Sequence, residues 1–338
     1  MLNLKKVILL LFLTSSVQVF LQGQDIHYSQ FLYSPHNLNP GMTGNFDGRY
    51  RVAFNHRQQW QSFINPYQTT SIGLDARDFL NLKNFGLGLN LFYDQVGTTN
   101  FKTLQFNIPV SYRIGITKDS VHSITLGAQA GLESQSLDGS QSTFGSQYNG
   151  NRYDGDLAGE NVSGSSARNA VFAAGAVYNL DISRNLRFKA GVGIYNLNQP
   201  DIAFTNGATG TVERRFNYQA GATVYLSPVW FITPGIIHSN QGEFRETVFG
   251  TELNYEFDAA PYRYRALFLG AWNRNKDAAI ADIGFYYNSW RVGFSYDVNY
   301  SQLETASANR GGWEVSVIYI LRELLPKRSN YKYCPNFL

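Results

Sequence analysis

The chain holds a single cysteine, Cys334, among 338 residues, so no disulfide forms within it and its fold stands without one. Charge is sparse as well. Asp, Glu, Lys and Arg make up 16% of the residues, against about 25% in an average soluble domain. A net charge of +3 with no clustered Lys/Arg stripe lacks the footprint of a nucleic-acid binder, and no nucleic-acid partner is expected. After the first 23 residues no apolar run approaches the roughly 20 residues that a membrane helix needs. Motifs of chemistry are missing too. The histidines His27, His36, His56, His122 and His238 form no metal-ligand pair, and neither HExxH, a Cys/His cluster nor GxSxG occurs, so no metal, no cofactor and no catalytic residue is expected.

Aromatic residues, by contrast, reach 15%, and glycine occurs 31 times. With little charge and no spanning helix, the remaining membrane solution is a closed β-barrel. The N-terminus sets the compartment. Lys5 and Lys6, the apolar run Val7 to Leu13 and the small residue Gly23 have the three-part layout of a secretory signal peptide over residues 1–23.

Read at period two, the chain from Arg49 onward gives segments of about ten residues in which apolar side chains alternate with small or polar ones, as lipid-facing and lumen-facing positions do in a barrel. About fourteen are predicted: 49–57, 68–75, 84–94, 101–114, 121–133, 168–180, 185–197, 215–226, 229–238, 247–257, 263–273, 279–288, 290–298 and 312–321. The fold class is therefore all-β, a transmembrane antiparallel barrel in the outer membrane with short periplasmic turns and long extracellular loops. The barrel domain covers 49–322, preceded by a periplasmic leader or plug segment at 24–48 and followed by a C-terminal tail at 323–338.

Side chains sort by register. Arg51, Arg113, Glu133, Arg187, Lys189, Glu252, Glu256, Asp282, Arg291, Asp297 and Glu314 take the inward positions, since charge on the lipid face is costly. A sealed ion-pair network and a solute pathway both remain open for them. Tyr93, Tyr112, Tyr178, Tyr195, Trp230, Trp272, Trp290 and Trp313 lie toward segment ends and are expected in the aromatic girdles. Asp154, Asp156 and Glu160, in the longest loop, lack calcium-loop spacing. Gly191 and Gly193 sit inside a strand, where glycine relieves crowding in a lumen or a bent wall.

The leader is not strand-like. Asp25, Ser29, Gln30, Phe31, Pro35, Leu38, Asn39, Pro40 and Gly44 combine aromatic residues with two turn-forming clusters, which are expected to fold into the periplasmic mouth. Together with Arg57 and Trp60 in the first hairpin, and Cys334, Pro335 and Phe337 near the end, this stretch resembles the opening, hairpin and terminal motifs of the PorP/SprF family of outer-membrane proteins. Leu338 departs from that pattern by placing Phe337 second from last. The resemblance implies the type IX secretion system of Bacteroidota, with gliding motility and surface adhesion as associated processes, and no enzyme activity. It implies an adaptor for exported proteins such as adhesins. Its partners would be cargo with a C-terminal sorting domain, periplasmic or lipoprotein components of the machinery, and the lipid bilayer. The opening motif would then serve as plug or partner contact. The alternative is an outer-membrane channel for uptake of a hydrophobic small molecule.

Overall fold

A computed structural model of the chain describes residues 28–59, 67–97, 101–117, 121–137, 145–157, 165–183, 185–201, 210–258, 263–300 and 310–321. The signal segment, Asp25, Trp60, Glu160, the tail and its Cys334, Pro335 and Phe337 lie outside these residues.

The described residues form fourteen strands. They are β1 (Tyr50–Gln59), β2 (Tyr67–Arg77), β3 (Phe85–Val96), β4 (Phe101–Gly115), β5 (His122–Leu137), β6 (Ser165–Ser183) and β7 (Leu186–Tyr195). The second half comprises β8 (Arg215–Tyr225), β9 (Trp230–Gln241), β10 (Phe244–Asp258), β11 (Arg265–Arg274), β12 (Ala278–Tyr287), β13 (Trp290–Asn299) and β14 (Arg310–Leu321). Each pairs antiparallel with its sequence neighbour, and β1 closes on β14 from Tyr50↔Leu321 to Gln59↔Gly312. Closure leaves no free strand edge, which is what a sheet in lipid requires. Every predicted segment corresponds to one of these strands.

Alternation fixes the two faces of the wall. On β11, Phe268 is 2% exposed while its neighbour Leu269 is 61% exposed; the same contrast runs through Asn107 and Ile108 on β4, and Ser295 and Phe294 on β13. The exposed Leu, Ile, Phe and Tyr side chains make a lipid-facing band. No helix among the described residues is long and apolar enough to cross a membrane.

Two expectations need correction. Tyr195 and Trp272 are buried and point inward, because residues at strand ends can serve a lumen partner as readily as a headgroup. Tyr195 donates to the His36 carbonyl at 2.7 Å, and the Trp272 ring meets that of Phe31 edge-on at 5.3 Å. Loop lengths also alternate less cleanly than expected. On the extracellular side β9 and β10 are joined by a tight turn with Gln241 opposite Phe244, where Gly242 takes a φ of +56°; a glycine accepts that left-handed backbone without strain.

Residues 28–48 do not stop at the periplasmic mouth. They form two 3-10 turns, Phe31–Tyr33 and Pro40–Met42, around one α-helical turn, Pro35–Leu38, and run inside the lumen. Ser29 meets residues near the extracellular ends of β1, β11 and β13, whereas Gly44 meets Asp75 near the periplasmic end of β2. An apolar cluster holds the middle, with Phe31 and Leu38 packed among Ile237, Val248, Trp272 and Ile280.

Candidate functional site

The site is the surface along which the leader meets the barrel's inner wall. Four buried charged groups gather where it begins. Arg57 on β1 reaches Asp297 on β13 at 2.8 Å and Glu314 on β14 at 3.3 Å, and Arg274 on β11 reaches Asp297 at 3.1 Å. Two cations thus face two carboxylates, which is how charge persists out of water. Ser29 sits at their centre. Its hydroxyl donates toward Asp297 at 2.8 Å and lies against Arg57 and Arg274, and its backbone N–H donates to Glu314 at 2.7 Å. Gln30 adds a second backbone donor to Glu314 at 3.2 Å and accepts from Ser316 at 2.6 Å. Polar residues at 29 and 30 suit this position because their backbone N–H groups reach Glu314 while the Ser29 hydroxyl meets the ions and the Gln30 amide meets Ser316.

A second cluster lies one turn further on. Tyr33 donates to Glu252 at 2.5 Å, Arg291 pairs with the same carboxylate at 2.9 Å, and the Arg291 guanidinium lies over the rings of Tyr33 and Phe268. The third cluster is at the periplasmic end. Arg51 makes a two-pronged contact with Asp75 at 2.9 and 2.8 Å, donates to the Met42 carbonyl at 2.9 Å, and stacks over Phe46 at 4.5 Å. Asp75 also accepts from the Gly44 N–H at 2.7 Å and stands 3.6 Å from His36 Nε2.

The opposite wall uses shape instead of charge. Asn39 accepts from Gly41 N–H at 2.8 Å, starting the turn at Pro40, and donates to the Ala176 carbonyl on β6 at 3.2 Å. Gly127 on β5 faces the Pro40–Gly41 peptide, and a Cβ there would overlap those backbone atoms. Gly175 leaves room for the Asn39 side chain, and Gly191 and Gly193 lie close against Asn39 and the Leu38 carbonyl. Gly44, at φ +65° and against the Gly86 backbone, turns the chain toward β1 in a conformation that L side chains rarely adopt. Pro35 begins the helical turn, where its missing N–H costs nothing.

Of the residues singled out in the sequence, Ser29, Gln30, Phe31, Pro35, Asn39, Pro40 and Gly44 are thus brought onto one continuous surface with Arg57. Of the inward-register charges, Arg51, Glu252, Arg291, Asp297 and Glu314 are buried there, Glu133, Glu256 and Asp282 are buried elsewhere in the wall, and Arg113, Arg187 and Lys189 are only partly covered. Asp75, Arg274 and His36 escaped sequence reasoning as members of the site. Asp75 and Arg274 hold inward positions in their strands, and that register was the signal available. The remaining described histidines meet hydroxyls, Thr70 for His56, Tyr178 for His122 and Thr247 for His238. Among the described residues no group of His, Cys, Asp and Glu is arranged to hold a metal ion.

A lipid-banded, edgeless wall around polar residues and a segment of its own chain defines a multi-pass outer-membrane β-barrel. Which barrel it is follows from the sequence as a whole: residues 20–319 match the model of the Type IX secretion system membrane protein PorP/SprF family, and the chain belongs to that family. No curated protein matches the chain's sequence. Among solved structures, the Pseudomonas putida toluene transporter TodX is similar at 10% identity and a TM-score of 0.49, over 88% of this chain and 94% of that one. The Ralstonia pickettii toluene transporter TbuX is similar at 10% identity and 0.47, over 85% and 92%. The KdgM porin is similar at 11% and 0.40, over 80% and 99%. At these values the likenesses carry no argument about what this protein transports or binds.

Proposed function

We propose that this outer-membrane member of the type IX secretion family acts as an adaptor for secretion or surface anchoring of exported proteins, adhesins with C-terminal sorting domains among them, rather than as a conduit. The observation that supports this reading is the leader. It is tied to the wall at three ion clusters and seated on a row of glycines, so the described lumen is occupied over much of its height. A conduit needs a path, and an occupied lumen leaves the extracellular loops as the surface on which a large exported protein can be engaged. Machinery components in the periplasm or on lipoproteins would then meet the opposite mouth, where Asp47 pairs with Arg187. Uptake of a hydrophobic small molecule would require the leader to move. No catalytic role is proposed.

The test is deletion of the protein in its native cells. Membrane permeability is expected to stay near wild type while one large surface protein is lost to, or trapped away from, the cell surface. An unchanged surface proteome together with reduced uptake of a hydrophobic solute would overturn the adaptor reading.

A further inference from the structure

The lipid-facing side of the wall is not evenly filled. Across β5 to β9 runs an open groove of about 490 Å³, within the size range of small-ligand sites. Ala176, Ala190 and Ala220 form its floor, and Tyr178, Tyr218 and His238 stand at its sides. Register makes the floor. Ala190 on β7 lies opposite Tyr178 on β6 and Ala220 on β8, so small outward side chains adjoin where Leu, Ile and Phe fill the band elsewhere. An empty hollow would forfeit dispersion contacts along its whole lining, and in a membrane the group that restores them is a hydrocarbon chain.

The polar end of the groove narrows which lipid supplies that chain. Trp230, at the periplasmic start of β9, packs against Tyr255 with ring centres 4.6 Å apart, and a tilted strand crosses the membrane in about 9–11 residues. His238 and Asn240 therefore reach the outer interface. There His238 stacks on Tyr218 at 6.2 Å and shares a 2.8 Å hydrogen bond with Thr247. Arg245 lies opposite Asn240, one outward position beyond Thr247, and Arg214 stands just before β8, donating through Nε to the Leu197 carbonyl at 3.1 Å. Both arginines are exposed and neither pairs with a carboxylate among the described residues. Glu246 turns inward to Arg274 and Glu213 accepts from Gln199, which leaves Glu243 at the turn as the exposed acid beside two exposed cations. Arginine at headgroup level above a hydrocarbon groove complements phosphate. A two-fold copy seated on the same groove would instead bring its own Arg214 and Arg245 to that level, cation toward cation. We propose that this face binds a phosphate-bearing glycolipid of the outer leaflet, one acyl chain in the groove and the phosphate against Arg245 and Arg214. The proposal does not depend on the adaptor role.

The full-length barrel in detergent would be examined by native mass spectrometry with monophosphoryl lipid A and with the same glycolipid after removal of its phosphate. A one-to-one adduct of the phosphorylated form is expected, held about tenfold more tightly than the dephosphorylated one, as a charge-assisted contact implies. Arg214→Gln together with Arg245→Gln should abolish that preference, and Ala190→Phe, which fills the floor, should weaken both forms. These positions face outward, so the variants should retain heat-modifiable migration on gels. The proposal is overturned if neither form gives an adduct, if the two forms bind the wild type equally, or if the folded variants bind as the wild type does. A dimer without bound lipid that Ala190→Phe dissociates would assign the groove to a second copy and overturn it as well.

Discussion

The two sides of the lumen hold the same leader by different physics. Strands β10, β11, β13 and β14 with β1 and β2 grip it through buried ions, Arg57, Arg274, Asp297, Glu314, Arg291, Glu252, Arg51 and Asp75. Strands β5 to β7 grip it through missing side chains, at Gly127, Gly175, Gly191 and Gly193, with neutral hydrogen bonds from Asn39 and Asn45. The ionic side is directional and penalises any single deletion, because a partner removed leaves a charge stranded. The glycine side tolerates loss better than gain, since a Cβ at Gly127 meets leader backbone that cannot yield. Together they specify the leader's height and rotation in the bore, which neither side alone would do.

That contrast can be broken in graded steps. Arg57→Leu should be the most damaging, leaving Asp297 and Glu314 without a cation they share; a loss of about 3–5 kcal/mol is expected, measured by urea unfolding from lipid vesicles, with the leader becoming open to protease. Gly127→Val attacks the other side by collision with the Pro40–Gly41 peptide. It should cost about 1–3 kcal/mol and loosen the leader while the ion clusters stay intact, and protease protection of the barrel strands should be unchanged. Asn39→Ala removes the acceptor for Gly41 N–H and the bond to Ala176, for about 1 kcal/mol in the same unfolding assay. Arg187→Ala removes only a solvent-exposed pair with Asp47 at the periplasmic mouth and should shift stability by less than about 1 kcal/mol. If Arg187→Ala proved as costly as Arg57→Leu, the distinction between buried and exposed ions in this lumen would fail.

Much of the barrel was legible because period-two alternation is a property of each strand by itself. Leu104, Phe106 and Ile108 against Gln105 and Asn107 declare two faces without any knowledge of the neighbours. The crowding role expected for Gly191 and Gly193 was legible for the same reason, since inward glycines need something bulky opposite. What could not be read was pairing across long separations. Arg57 meets Glu314 and Asp297, Ser29 meets all three, and Asp75 meets Arg51 and Gly44; these depend on closure of β1 against β14 and on the leader's path, neither of which leaves a local pattern. Tyr195 and Trp272 show the limit at strand ends, where an aromatic ring fits a girdle or a lumen equally well and only the partner decides. The leader itself was visible as turns and aromatics, but its climb toward the extracellular half of the bore was not.

We propose that the leader keeps the bore closed, and conductance tests this most directly. Wild-type barrel inserted into planar lipid bilayers, its folded state checked by heat-modifiable migration, is predicted to be electrically silent, and the Arg57→Leu variant to show discrete openings as the leader loosens. A wild-type barrel that conducts as a steady open pore, with Arg57→Leu no different, would contradict the account.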